Sequence, residues 1–284
     1  MKENNNENLW KSYKVDILTL QRANALTDIK FADDYFDIMH NEWLLEQYIS
    51  RFGIVSEEAP CLTAPAIEAA VKAGYAINLV VQILKDDTIV CFKHKSLGES
   101  TGLNAYVTNV SYDEIKELTI RNTKEHILTL AEALDIVDNQ VPVVIEIMNE
   151  SFVGKMESKI EQILDAYCKK HDCPGRVAIM SVNPFVLEWF YDNAPWYTRM
   201  IKSGCFKDIK TYANIKTSKL KKLKYLKLSK ADFIVYIAKD LPTKYIRKNK
   251  VVGVIAYNVM SQEEYKRVLP YADNIVFASF TPEI

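Results

Sequence analysis

The chain has 284 residues, 49% hydrophobic and 26% charged, with a formal net charge of −1. That balance supplies one large core and excludes a field basic enough to draw nucleic acid. Five scattered cysteines (Cys61, Cys91, Cys168, Cys173, Cys205) exclude a disulfide framework, and no apolar run reaches the roughly 18 residues of a membrane span.

The opening MKENNNENLW is polar, Asn-rich and without a signal-peptide core. Residues 1–10 are therefore expected to be disordered, and the protein cytoplasmic. Residues 11–46 read as a helical lead-in, with Tyr35, Phe36, Met39, Trp43 and Leu44 at helical spacing over 33–46. A short strand follows at 47–52, then a helix over 64–74 that ends at Gly74. The apolar run 75–84 predicts a strand, and 89–93 a second one. The four-residue turn between them is too short for a parallel crossover, so the pair reads as a hairpin.

Helices are expected at 111–118 and 129–138, a buried strand at 141–148 and a helix at 152–171. Next come a strand at 176–182, a helix opened by Pro184 at 184–193 and a weak strand at 197–201. A helix at 216–228, a strand at 232–237 and a helix near 242–249 follow. The chain closes with a strand at 251–258, a helix at 261–270 and a strand at 274–279. Setting the hairpin arm aside, eight strands remain, alternating with helices. That number suits a TIM (β/α)8 barrel forming a single domain over 47–284, although patterning alone also fits an open doubly wound sheet. Cys168 and Cys173 flank His171, but zinc needs four well-spaced ligands, so these read as reduced thiols. Trp189 reads as core.

Several segments carry a family likeness: PCLTAPAIEAAVKAGYAINLVVQILKDDTIV, LTLAEALDIVDNQVPVVIEIMNE, NPFVLEWFYDNAPW, ADFIVYIAKDLPTKYIRK and VIAYNVMSQEEYKRVLPYADNIVFASFTP. In their order and coverage, from about 47 to 283, the chain resembles the bacterial glycerophosphodiester phosphodiesterases. The resemblance implies an eight-stranded barrel, phosphoric diester hydrolysis and a place in lipid metabolism. It also implies two catalytic histidines, three carboxylates on a divalent metal, and an arginine and a lysine on the phosphate.

Residue by residue, most of that machinery is replaced. The family's His-Arg-Gly is Ser50-Arg51-Phe52, and its Pro-Glu-Asn is Pro60-Cys61-Leu62. The metal-binding Glu-Leu-Asp is Asn78-Leu79-Val80. The second histidine falls on Lys93, with His94 in the place of the following aspartate, and Glu-Ile-Lys is Glu146-Ile147-Met148. Glu146 is the one metal carboxylate kept. Strand alternation turns His94 away from the pocket unless a bulge intervenes.

These substitutions point to a pseudoenzyme that needs no cofactor. Arg51 and Lys93, with Ser50 and Asn78 as hydrogen-bond partners, form a candidate anion site, walled by Tyr257 and with Glu146 pairing one of the cations. Its partner would be a small phosphorylated or anionic ligand. Lys93 as a general acid or nucleophile, and Cys61 as a nucleophile, are weaker readings. The alternative is an active phosphoric diester hydrolase with a rearranged site that uses Lys93, His94 and Glu146 and binds magnesium or calcium. A third reading is an interaction or scaffold protein. The stretch Lys216–Lys230 holds seven lysines with leucines at 220, 223, 226 and 228. It reads as a solvated helix packing its leucines, with peripheral contact to anionic lipid or a teichoic-type polymer as the functional option. The sequence sets no oligomeric state.

Overall fold

A computed structural model describes residues 41–121, 123–205, 215–246 and 251–283. Nine strands appear among them: β1 (Ile49–Arg51), β2 (Ala76–Ile83), β3 (Ile89–Cys91), β4 (Val143–Ile147), β5 (Val177–Ser181), β6 (Thr198–Ser203), β7 (Phe233–Ile237), β8 (Gly253–Val259) and β9 (Asn274–Phe277). Eight of them pair in parallel, in the order β1-β9-β8-β7-β6-β5-β4-β2, and β1 pairs with β2 to close the ring. The expected (β/α)8 barrel is what forms. β3 lies outside the ring, antiparallel on β2, as the short turn requires.

Alternation along each strand sorts two cores. Inward positions, including Ile49, Ala76, Val144, Met180, Met200, Phe233 and Ile255, fill the barrel. Outward positions such as Ile77, Ile145, Ile179 and Ile234 pack under the helices. A third cluster, from Leu84 through Val90 and Phe92 to Ile127, belongs to the arm after β2.

The helices begin where the sequence supplies caps. Thr129 and Glu132 form a reciprocal capping box at the start of Leu130–Val137, and Asn183 with Pro184 opens Pro184–Asn193. Of the early helix expected at 33–46, the described part is the short turn Trp43–Glu46, which plugs the amino end of the barrel. Leu44 is fully buried there, and Asn274 Nδ2 donates to the carbonyls of Leu44 and Gln47 at 2.9 and 2.8 Å. The rest of the lead-in, and residues 1–10, lie outside the described residues.

Some element expectations are corrected. The helix at 111–118 is only Tyr112–Ile115. The helix at 216–228 is two short pieces, Thr217–Lys221 and Leu226–Ser229, separated at Leu223, whose φ is +54°. Lys222 and Lys224 flank that break on an exposed face, and Leu220 and Leu223 are buried while Leu226 is only partly so. Of the helix near 242–249, residues 242–246 are not α-helical and the rest lies outside the described residues. No helix among the described residues is long and apolar enough to cross a membrane.

Candidate functional site

The carboxyl ends of the ring strands enclose a cavity of about 700 Å³, where barrel scaffolds place their chemistry. β1 delivers Arg51, β2 Val80, β4 Glu146, β6 Lys202 and β8 Tyr257, and Lys93 and His94 reach in from the arm. Past Arg51 the chain turns through two left-handed residues, Phe52 at φ +72° and Gly53 at φ +86°. A Cβ on Gly53 would stand 2.4 Å from the Ala66 carbonyl oxygen, so only glycine lets this turn press on the helix Ala64–Lys72. The turn brings the Phe52 ring to 4.4 Å from the Arg51 guanidinium and 5.5 Å from Lys93 Nζ.

At the floor, Lys202 Nζ donates to Glu146 Oε1 at 2.5 Å, and Tyr257 Oη donates to Glu146 Oε2 at 3.0 Å. The Lys202 ammonium also lies 3.7 Å from the centre of the Tyr257 ring. Arg51 Nε donates to Tyr257 Oη at 3.0 Å, and its Nη1 to Asn258 Oδ1 at 2.5 Å. Burial works against the Lys202 charge, but the Glu146 carboxylate and Tyr257 outweigh it, so its pKa stands above the usual lysine value. Burial, then Glu146, pushes the Tyr257 phenol up. Lys93 Nζ donates to Cys61 Sγ at 3.1 Å. Burial, then the Lys93 charge, lowers the His94 pKa, so the imidazole is neutral near pH 7. Five cationic side chains (Arg51, Lys93, Lys95, Lys202 and Lys239) line the cavity against three carboxylates, Glu146, Glu150 and Glu264.

The structure brings Arg51, Lys93, Glu146 and Tyr257 together and leaves two expected partners aside. Ser50 faces away from the barrel interior, and its hydroxyl donates to the Ala76 carbonyl at 3.2 Å. Asn78 points inward but is fully buried one layer below Glu146, since Val80, not Asn78, is the register partner of Glu146. Neither lines the cavity. His94 does line it, against the alternation expectation, because β3 ends at Cys91 and no pleat governs the residues beyond. The cation on Glu146 is Lys202 rather than Arg51 or Lys93. Sequence reasoning stopped the sixth strand at 201; one more inward step, Thr198–Met200–Lys202, would have found it.

The residues present do not fit the divalent metal that the resemblance implies. Both Glu146 oxygens are occupied by donors, one of them an ammonium whose charge opposes a dication beside it. Asn78 offers one neutral oxygen and Val80 none. Among the described residues, no group of three or more His, Cys, Asp or Glu side chains is placed to hold a metal ion.

Comparison with known proteins points in one direction. The model of the glycerophosphoryl diester phosphodiesterase family matches residues 56–278. A phosphodiesterase from Oleispira antarctica, solved in complex with the product sn-glycerol-3-phosphate, superposes with a TM-score of 0.64 at 18% identity, covering 81% of this chain and 92% of that one. The glycerophosphodiester phosphodiesterase of Thermotoga maritima gives 0.61 at 18% identity, covering 81% and 94%. That of Parabacteroides distasonis gives 0.63 at 15%, covering 81% and 92%. At these identities the likeness to solved structures carries the fold. No curated protein matches the sequence. The family match spans well over half the chain and agrees with the closed ring of eight strands: the chain belongs to the glycerophosphoryl diester phosphodiesterase family.

Proposed function

We propose that this chain is a non-catalytic member of its family that binds a phosphate or phosphodiester group without a metal ion. One observation carries the reading: Glu146, the one metal carboxylate kept from the family pattern, has one oxygen taken by the Lys202 ammonium and the other by the Tyr257 hydroxyl. Phosphodiester hydrolysis at a metal site needs a dication to neutralise phosphoryl charge and a histidine pair to move protons. Here the family's histidine positions hold Ser50, buried against a backbone carbonyl, and Lys93. What remains suits recognition. Arg51 is held by Tyr257 and Asn258, Lys93 faces the same space, and the cavity carries more cationic than anionic side chains. The product-bound relative adds support, since it holds sn-glycerol-3-phosphate on the same kind of scaffold.

The test is an assay of purified protein on glycerophosphocholine with magnesium, calcium or manganese, alongside calorimetry with sn-glycerol-3-phosphate in chelator. The expected outcome is no turnover, with binding that chelator leaves unchanged and that Arg51→Met weakens about tenfold or more, the scale of a lost charged hydrogen bond. Metal-dependent turnover that disappears in Glu146→Ala would overturn the proposal. One observation favours the second reading, an active hydrolase with a rearranged site: His94, neutral near pH 7, shares the cavity with Lys93. That reading expects turnover lost in His94→Gln.

A further inference from the structure

Three exposed apolar side chains sit on the loops that follow the ring strands, at the open end of the cavity. Phe152, after β4, is 97% exposed; Met260, after β8, is 43% exposed and lines the cavity; Phe185, in the first turn of the helix after β5, is 38% exposed. A single exposed apolar residue needs no explanation. The bracing beneath these ones does.

Asn149 Oδ1 accepts from Ser151 N at 2.8 Å, and Asn149 Nδ2 donates to Glu157 Oε1 at 2.7 Å. Glu157, fully buried, takes Gly154 N on its other oxygen at 2.7 Å. Phe152 therefore rides on a loop clamped from both sides. Asn183 joins the next loop to it: Nδ2 donates to the Asn149 carbonyl at 3.2 Å, and Oδ1 accepts from Phe185 N at 3.0 Å. Met260 N is held by Glu264 Oε2 at 3.0 Å. Buried Asn149, Glu157 and Asn183 thus hold Phe152 and Phe185 out in water. For a surface meant to stay in water the arrangement is backwards; for one that meets an apolar medium it is apt.

We infer that the mouth of the barrel docks on a phospholipid bilayer, with Phe152, Phe185 and Met260 entering the acyl boundary while the cavity takes a lipid phosphodiester headgroup. The headgroup half rests on the proposed phosphate-binding reading. The cationic excess of the cavity complements a headgroup phosphate, and Met260 belongs both to the rim and to the cavity wall. Among the described residues of the outer loops the charges are mixed: Glu57 and Glu58 are exposed after β1, Lys239 is exposed after β7, and Lys95 is paired with Glu150 at 2.5 Å. Entry is therefore apolar, the fitting surface is a zwitterionic phosphocholine bilayer, and partitioning resists salt.

The experiment is co-sedimentation of the full chain with phosphatidylcholine vesicles at low and high salt. Partitioning is expected at both, reduced about tenfold or more by Phe152→Ser, since one phenyl ring loses its burial. In Phe152→Trp, the added emission is expected to shift to the blue on vesicles and to be quenched by brominated lipid. Absence of partitioning, equal partitioning of Phe152→Ser, or an unmoved Trp signal on sedimenting vesicles overturns the docking surface. Binding confined to anionic vesicles and abolished by salt also overturns it, and assigns the contact to lysines 216–230 instead. Calorimetry with sn-glycerol-3-phosphate separates the two halves. Binding retained in Phe152→Ser supports a rim distinct from the cavity. Partitioning through Phe152 without sn-glycerol-3-phosphate binding retains the docking surface and overturns headgroup capture.

Discussion

Lys202 and Glu146 decide what the cavity floor can do, and their coupling is measurable. Lys202→Met leaves a buried carboxylate without its cation and should cost about 3–5 kcal/mol, whereas Lys202→Met with Glu146→Leu should recover most of that loss. Urea denaturation of the single and double variants measures the difference. Because the Lys202 pKa is raised in the fold, the stabilisation from the pair is complete below the usual lysine value of 10.5 and is lost as pH climbs through the raised folded value. The urea-midpoint advantage of the native chain over Lys202→Met should therefore hold level across neutral pH and shrink only in strong alkali. The same geometry predicts how metal binding would return. Asn78→Glu with Val80→Asp restores the family's carboxylates, yet manganese binding, followed by its paramagnetic resonance, should appear only when Lys202→Ala is added. At this scale, the losses at Ser50, Asn78, Val80 and Lys93 were legible because each falls inside a quoted motif. Lys202 was not, since no motif contains it and the expected strand stopped at 201, one residue short of it; its pairing with Glu146 follows only from the ring that sets β6 across from β4.

Elements tell a similar story of strong and weak signals. Helices with caps written in the sequence, Leu130–Val137 and Pro184–Asn193, fall where Thr129, Asn183 and Pro184 place them. The lysine-rich stretch misled because its leucines keep helical spacing through a break at Leu223 that no glycine or proline announces. Tertiary demand overrides propensity there: Ser203 Oγ donates to the Leu220 carbonyl at 2.7 Å, and Tyr236 Oη to that of Lys221 at 2.9 Å. The turn Trp43–Glu46 is too short to be stable alone, so its place depends on Leu44 entering the barrel end. Leu44→Ala should cost about 2–5 kcal/mol through the cavity it leaves, lowering Tm in calorimetry without changing sn-glycerol-3-phosphate affinity, because the plug lies at the opposite end from the cavity.

The molecule as a whole is a ring, and a ring fails differently from an open sheet. β9 contributes only four residues, yet it joins β8 to β1. A chain ending at residue 272 would expose the unpaired edges of β8 and β1, and it should aggregate or lose near-ultraviolet circular dichroism rather than fold less one strand. Eight strands alternating with helices made a helix-covered parallel sheet legible, and the short 85–88 turn made the arm legible. Closure itself was not, because an open sheet obeys the same alternation.

The arm that carries Lys93 and His94 has its own apolar cluster, and β3 is fastened to the ring through β2, with Gln82 Nε2 donating to the carbonyls of Phe92 and His94 at 2.7 and 2.8 Å. Two walls of one chamber thus belong to units of different cohesion, one locked by a circle of strands and one carried outside it on β2 and the 128–129 segment. Amide protons of the arm should swap with deuterium sooner than those of the circle, and an occupant gripped by Arg51 and Lys93 together would bring the two clocks into step.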